Sequence, residues 1–147
     1  MKTPALPDLL RLGSSSFSCT DWVGPFYPPG TAPGDFLVHY AGRYDTVEID
    51  STYYAVPSAR MDPVTAGFAY VRLLGDREAI EKLTTTWDKE VIDRTDRVRR
   101  WARLLARLTG RRVPSFVYVN NHYAGHAPAT LETLRRLVFE ALEGDDS

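Results

Sequence analysis

The sequence predicts an α/β fold, a parallel sheet of about four short strands covered by amphipathic helices. Three observations carry this reading. Short apolar runs alternate along the chain with longer segments of helical periodicity, and such alternation argues for parallel strands joined by crossovers. Each strand segment has one small aliphatic face, suited to packing under helices. The helical segments each present an apolar stripe on one side.

The first strand spans Leu9 to Gly13. A long loop follows from Ser14 to Pro33, SSSFSCTDWVGPFYPPGTAP. Loops of this length in small domains are usually functional or disordered. Trp22, Phe26 and Tyr27 argue against disorder, because large aromatic rings are stabilised by burial. A helix is predicted from about Gly34 to Tyr44, with Phe36, Leu37, Tyr40, Ala41 and Tyr44 at helical spacing. The second strand, Thr46 to Asp50, sets Val47 and Ile49 against Glu48 and Asp50. In the third, Phe68 to Leu74, Ala69, Val71 and Leu73 oppose Phe68, Tyr70 and Arg72. A short helix over Arg77 to Leu83 is capped by Asp76. A longer one runs from Thr95 to Thr109 on the stripe Val98, Trp101, Leu105 and Leu108, with Thr95 or Asp93 as N-cap and Gly110 as stop. The last strand, Ser115 to Asn120, opposes Val117 and Val119 to Tyr118 and Asn120. The final helix begins near Pro128, a favoured first-turn residue, and carries Leu131, Leu134, Val138 and Ala141 on one face.

One place breaks the pattern. Parallel neighbours need a crossover of about a dozen or more residues, usually containing a helix. Between Tyr54 and Phe68 the chain reads AVPSARMDPVTAG, punctuated by Pro57, Pro63 and Gly67, with no repeating apolar face. The flanking strands are therefore antiparallel, or not neighbours, or a segment has been lost between them.

The second faces of the strands are polar, although a fully covered parallel sheet is apolar on both sides. They collect Glu48, Asp50, Tyr70, Arg72, Tyr118 and Asn120, and the first strand adds Arg11 and Ser15. One reading is a barrel interior that opens onto a site at the C-terminal ends of the strands. The other is a half-solvated sheet in which Glu and Arg neutralise each other. Charges of both signs on strands favour the site.

Four stretches carry a family resemblance. GSSSFSCTDWVGPFYPPG and GDFLVHYAGRYDTVEIDSTYYAVPS resemble the opening of the domain of unknown function 72 (YecE-like) proteins. FAYVRLLGD and SFVYVNNHYAGHAPATLETLRRL resemble their closing part. The resemblance implies a (β/α)₈ TIM barrel of which this chain keeps strands 1, 2, 7 and 8. Residues 1–58 correspond to the N-terminal part, 66–147 to the C-terminal part, and the junction falls at about 58–66, within a single domain of 147 residues. A complete barrel typically needs about 250 residues, so the chain is internally shortened on this reading. Ser16 and Phe17 stand where relatives usually show Gly-Trp, and Asp50 stands where Asn is more usual. Four strands cannot close a barrel, so pairing of two copies into a composite barrel, a homodimer, is the expected remedy for the open edges. The family has no settled activity to transfer.

The candidate chemistry rests on a few residues. Glu48 and Asp50, two apart on one strand, could split their pKa values and serve as acid and base, with His122 as a further catalytic candidate. Ser15, Tyr27, Tyr53, Arg72, Asn120 and Asn121 are the ligand-binding candidates, for a small anionic or polyhydroxyl molecule. Glu48 and Asp50 with His122 could also hold a divalent metal, but two carboxylates and one His without flanking ligand spacing are a weak metal signal, and the sequence names no cofactor. Trp22, Phe26, Tyr27, Tyr53 and Tyr54 are either a stacking platform or the loop's own small core. His39 reads as a surface or packing residue of its helix. Cys19 has no basic neighbour to lower its pKa, so a small packing residue is expected rather than a nucleophile.

The bulk properties exclude several classes. A net charge of −1 calls for neither nucleic acid nor an anionic membrane. Seven arginines between Arg97 and Arg112 read as the solvated face of an outer helix. No apolar run is long enough to span a bilayer, and the start MKTPALPDLLRLG has no apolar core of a secretory signal. A single cysteine fits a reducing compartment, the cytoplasm. Three functional readings stay open: a small-molecule enzyme of barrel type, a non-catalytic ligand-binding module, and an inactive product of an internal deletion.

Overall fold

A computed structural model describes residues 6–48 and 68–144. Strands β1 (Leu10–Ser14), β2 (Ala69–Leu73) and β3 (Ser115–Val119) form one parallel sheet in the order β1-β3-β2. Leu12, Val117 and Val71 stand side by side in register, as do Gly13, Tyr118 and Arg72. Helices α1 (Phe36–Ala41), α2 (Arg77–Glu81), α3 (Thr95–Gly110) and α4 (Ala127–Gly144) complete the regular structure, with 3₁₀ turns at Thr20–Trp22, Pro33–Asp35 and Asn121–Tyr123.

The period-two patterning sets the sheet's orientation. Ala69, Val71 and Leu73 are buried, whereas Tyr70 is exposed and Arg72 partly so. Val117 and Val119 are buried together with Leu12 under the stripes of α3 and α4, chiefly Val98, Ala102, Leu105, Leu131, Leu134 and Val138. Burying such aliphatic side chains contributes about 1.5–3 kcal/mol each and is what drives the two long helices onto one face. All seven arginines from Arg97 to Arg112 point outward, the solvated face expected of an outer helix.

The aromatic residues of the loop after β1 form their own core. Trp22, Tyr27, Phe36 and Tyr40 are all at most 2% exposed. Tyr27 stacks on Phe36 with ring centroids 4.6 Å apart. Tyr40 ties this core to the sheet: its hydroxyl accepts from Ser14 N at 2.8 Å and donates to Thr46 O at 3.0 Å.

The helix expected over residues 34–44 is shorter, a 3₁₀ turn followed by α1, because Gly42 ends it. The second expected strand, residues 46–50, is not a strand over Thr46–Glu48, and residues 49–50 lie outside the described residues. Thr46–Glu48 nevertheless runs beside β1. Glu48 N donates to Ser14 O at 3.0 Å, on the side of β1 facing away from β3, since Ser15 N bonds to Val119 O. Backbone contact is so close there that a side chain on Gly13 would collide with Thr46 O.

Candidate functional site

Parallel register brings the C-terminal ends of the three strands together. Ser15 follows β1, Leu74 and Gly75 follow β2, and Asn120 follows β3. Gly75 lies against the backbone of His122 and Tyr123, where any side chain would clash, so the loops after β2 and β3 are locked together. A cleft of about 220 Å³ opens at this end, lined by Ser15, Trp22, Trp87, Asn120, Asn121 and His122 among others.

Its polar groups fall into two kinds. Asn121 is spent on structure: its Oδ1 accepts from Trp22 Nε1 at 3.2 Å and from Ala127 N at 3.0 Å, and its Nδ2 faces Cys19 Sγ at 3.7 Å. His122 Nε2 lies 3.2 Å from Glu81 Oε1, and its ring packs 4.8 Å from Trp87. That carboxylate also accepts from Arg77 Nε at 2.8 Å. Bonding to His122 and then to Arg77 holds the Glu81 carboxyl below its usual range. By contrast, Ser15 Oγ and Asn120 Oδ1 are buried and have no hydrogen-bond partner among the described residues.

Trp87 is carried by a strap over residues 84–92 that has no regular structure. Its N–H donates to Asp21 Oδ2 at 3.0 Å, and its carbonyl lies 2.7 Å from His126 Nδ1. Val91 N and Ile92 N both donate to Ala124 O, at 2.7 and 3.1 Å. Gly125, at φ 119°, takes a conformation few other residues adopt and lets Lys89 O approach closely. His126 is 4% exposed, edge-on to Trp22, and its burial pushes its pKa below the usual imidazole value.

A second polar cluster lies on the face of the sheet opposite α3 and α4. Arg72 Nε is 3.0 Å from Glu48 Oε1 and 3.1 Å from Oε2. Tyr70 donates its hydroxyl to the same carboxylate, and desolvation together with that bond raises its pKa. Tyr118 packs against Tyr70 with the rings tilted and centroids 5.4 Å apart, and its hydroxyl shares a 2.8 Å hydrogen bond with Thr46 Oγ1. Arg11 pairs with Asp45 rather than with Glu48.

The structure thus gathers Ser15, Asn120, Asn121 and His122 in one cleft and puts Glu48 and Arg72 in a separate cluster. Tyr27 is a core residue, 1% exposed, whose hydroxyl donates to Phe17 O at 2.6 Å. With Trp22 it belongs to the loop's own core, and burial raises the pKa of the adjacent Cys19 thiol. His39 is exposed on α1. Asp50, Tyr53 and Tyr54 lie outside the described residues. No group of three His, Cys, Asp or Glu that could hold a metal occurs among the described residues, and no described helix is long and apolar enough to cross a membrane. Trp87 and Glu81 are the neighbours that sequence reasoning passed over. A lone Trp within the polar run TTTWDKE was the one available signal.

A parallel α/β sheet with polar residues gathered at its C-terminal edge defines the class. The family model described as protein of unknown function DUF72 matches residues 11–62 and 59–145, nearly the whole chain, and the chain belongs to that family. No curated protein and no solved structure matches it.

Proposed function

We propose that this protein binds a small polar ligand, anionic or polyhydroxyl, at the C-terminal ends of its strands. The carrying observation is that two residues lining the cleft, Ser15 and Asn120, each carry a buried oxygen with no hydrogen-bond partner among the described residues, Oγ and Oδ1. Leaving such a group unsatisfied costs about 1–3 kcal/mol, so it is retained where something outside the protein supplies the partner. The test is titration of small polar molecules followed by ¹H–¹⁵N correlation spectra. Shifts clustered on Ser15, Asn120 and His122, weakened in Asn120→Leu, are expected. Shifts scattered over the surface, unchanged in that variant, would sink the reading.

The scaffold is read as a partial TIM barrel. The order β2, β3, β1 with Thr46–Glu48 outside β1 supports strands 7, 8, 1 and 2 in succession. The two family matches meet at residues 59–62, which supports a single domain with its junction at about 58–66. Two copies facing each other across the open sheet would close the barrel. Phe68 at 52% and Tyr70 at 45% exposure favour such a partner, because large exposed aromatics on one face mark an interaction surface.

A non-catalytic binding module is the second reading, favoured by one specific observation. Glu48 is engaged by Arg72 and Tyr70, apart from the cleft, and so is poorly placed to move a proton for a ligand held there. Glu48→Gln leaves ligand binding intact on this reading, and loss of a measured turnover in that variant would restore the enzyme.

A further inference from the structure

Resting on the cleft proposed above as the binding site, we infer that its ligand is an uncharged, hydroxyl-rich molecule of single-ring size, a monosaccharide or cyclic polyol, and not an anion. Three observations exclude the anion. No arginine or lysine is among the described residues that line the cleft, and Arg72, which would have been the anion's clamp, is bonded to Glu48 across the sheet. The one titratable base there, His122, already faces the Glu81 carboxylate at 3.2 Å.

The third concerns α4, whose first residue, Ala127, lines the cleft. A helix N-terminus usually offers free N–H groups to an anion. Here Ala127 N is taken by Asn121 Oδ1, Pro128 has no N–H, and Thr130 N bonds to His126 O at 3.3 Å. Ala127 is the residue of this helix that lines the cleft, and its N–H is already taken.

What the cleft does offer is the complement of a hydroxyl. The Asn120 amide carries both an acceptor and a donor, and among the described residues its Oδ1 lacks a donor, which a hydroxyl gives and sulfate or an ionised carboxylate does not. Ser15 Oγ both donates and accepts. The Trp87 indole supplies an apolar wall of the kind on which sugar C–H faces pack. The cleft's volume, about 220 Å³, lies below the roughly 300 Å³ at which drug-sized pockets begin, which limits the occupant to about one ring.

The test uses the full chain and two probe sets at matched ionic strength: glucose, arabinose and myo-inositol against sulfate, acetate and succinate. The readouts are the Asn120 side-chain amide and the Trp87 indole N–H in ¹H–¹⁵N spectra. Neutral polyols should shift both signals and anions neither. Asn120→Leu should weaken polyol binding about tenfold, the worth of one hydrogen bond, while Asn120→Asp, which keeps the acceptor, should retain it. Both variants must give dispersed spectra to count. Anions shifting the same signals while polyols do not would overturn the ligand class and leave the site standing. Polyol shifts that persist unchanged in Asn120→Leu would overturn the assignment to this acceptor. Silence from both probe sets would bring down the site as well.

Discussion

Glu48 stands outside β1 and Arg72 stands on β2, at opposite margins of the sheet, yet Arg72 Nε lies 3.0 Å from Glu48 Oε1. Neighbouring strands are about 4.8 Å apart, so three spacings in a flat sheet would separate these backbones by about 14 Å. The two long side chains reach toward each other across the face of the sheet that carries Tyr70 and Tyr118. The pair thereby bridges the two margins over Tyr118. Arg72→Ala should cost about 1–3 kcal/mol, since it strips a mostly buried carboxylate of a charged donor. Adding Glu48→Gln should recover a good part of that loss. Urea denaturation of both variants checks it, and a double variant no more stable than the single one would contradict the bridging role.

Much of the scaffold was legible because it depends on local periodicity. Ala69, Val71 and Leu73 inward with Tyr70 and Arg72 outward follows from period two, and Asp76 capping α2 through Ala79 N follows from residue type at a helix start. The cleft was only half legible. Asn120 and Asn121 are chemically identical and adjacent, yet one amide is spent on Trp22 and Ala127 while the other keeps a free acceptor. Only tertiary partners decide that. The strap bearing Trp87 has no period of its own. Asp21, Ala124 and His126, distant in sequence, fix its place, so no local pattern could announce it. Tyr27 illustrates the reverse: an aromatic beside a candidate site that packs inward against Phe36.

His126 predicts a pH dependence. Its folded pKa lies below the ordinary value of about 6.5 because burial disfavours the charged ring. The unfolded chain therefore binds more protons between the two values, and stability falls as pH drops from about 6.5 through the folded pKa. The facing charges are Asp88 and Glu90 on the strap, which partly oppose the shift. Arg43, Lys89 and Glu132 line the same depression. Carboxylates with lowered pKa, Glu81, Asp88 and Asp93, lose their contributions only in a more acidic window. Thermal melts from pH 7.5 to 5 should show the loss in the wild type and a flatter profile in His126→Asn, whose amide can still donate to Trp87 O. Equal slopes in the two proteins would exclude His126 as the origin.

Gly75 predicts a coupling between packing and the cleft. A methyl group there meets His122 O and the Tyr123 backbone, neither of which can move as a flexible side chain does. Gly75→Ala should destabilise by about 1–3 kcal/mol, the usual cost of overpacking. It should also displace the 3₁₀ turn Asn121–Tyr123, shifting the amide signals of Asn120 and His122 more than those of α3. Gly110→Ala is the control, since nothing lies within 4 Å of a methyl group at that helix end. Comparable losses in both variants would mean that the close approach at Gly75 carries no special strain.

The face of the sheet opposite α3 and α4, where Phe68 and Tyr70 are exposed, bears on assembly. Phe68 packs edge-on to Phe116 with centroids 6.4 Å apart, and Tyr70 lies beside Tyr118, so four aromatic rings continue along that face. Parallel sheets normally have both faces covered. The face also carries its charges as internal pairs, Arg11 with Asp45 and Arg72 with Glu48, so an identical face can approach it without net repulsion. If two copies meet there, light scattering behind size-exclusion chromatography should give twice the chain mass. Phe68→Asp should then shift the peak to the monomer, because each dimer would bury two uncompensated carboxylates near its two-fold axis. The same substitution in a protein already monomeric would leave the mass unchanged. A folded wild-type monomer at high concentration would mean that these aromatics are covered in some other way, and that the barrel is not completed by a second copy.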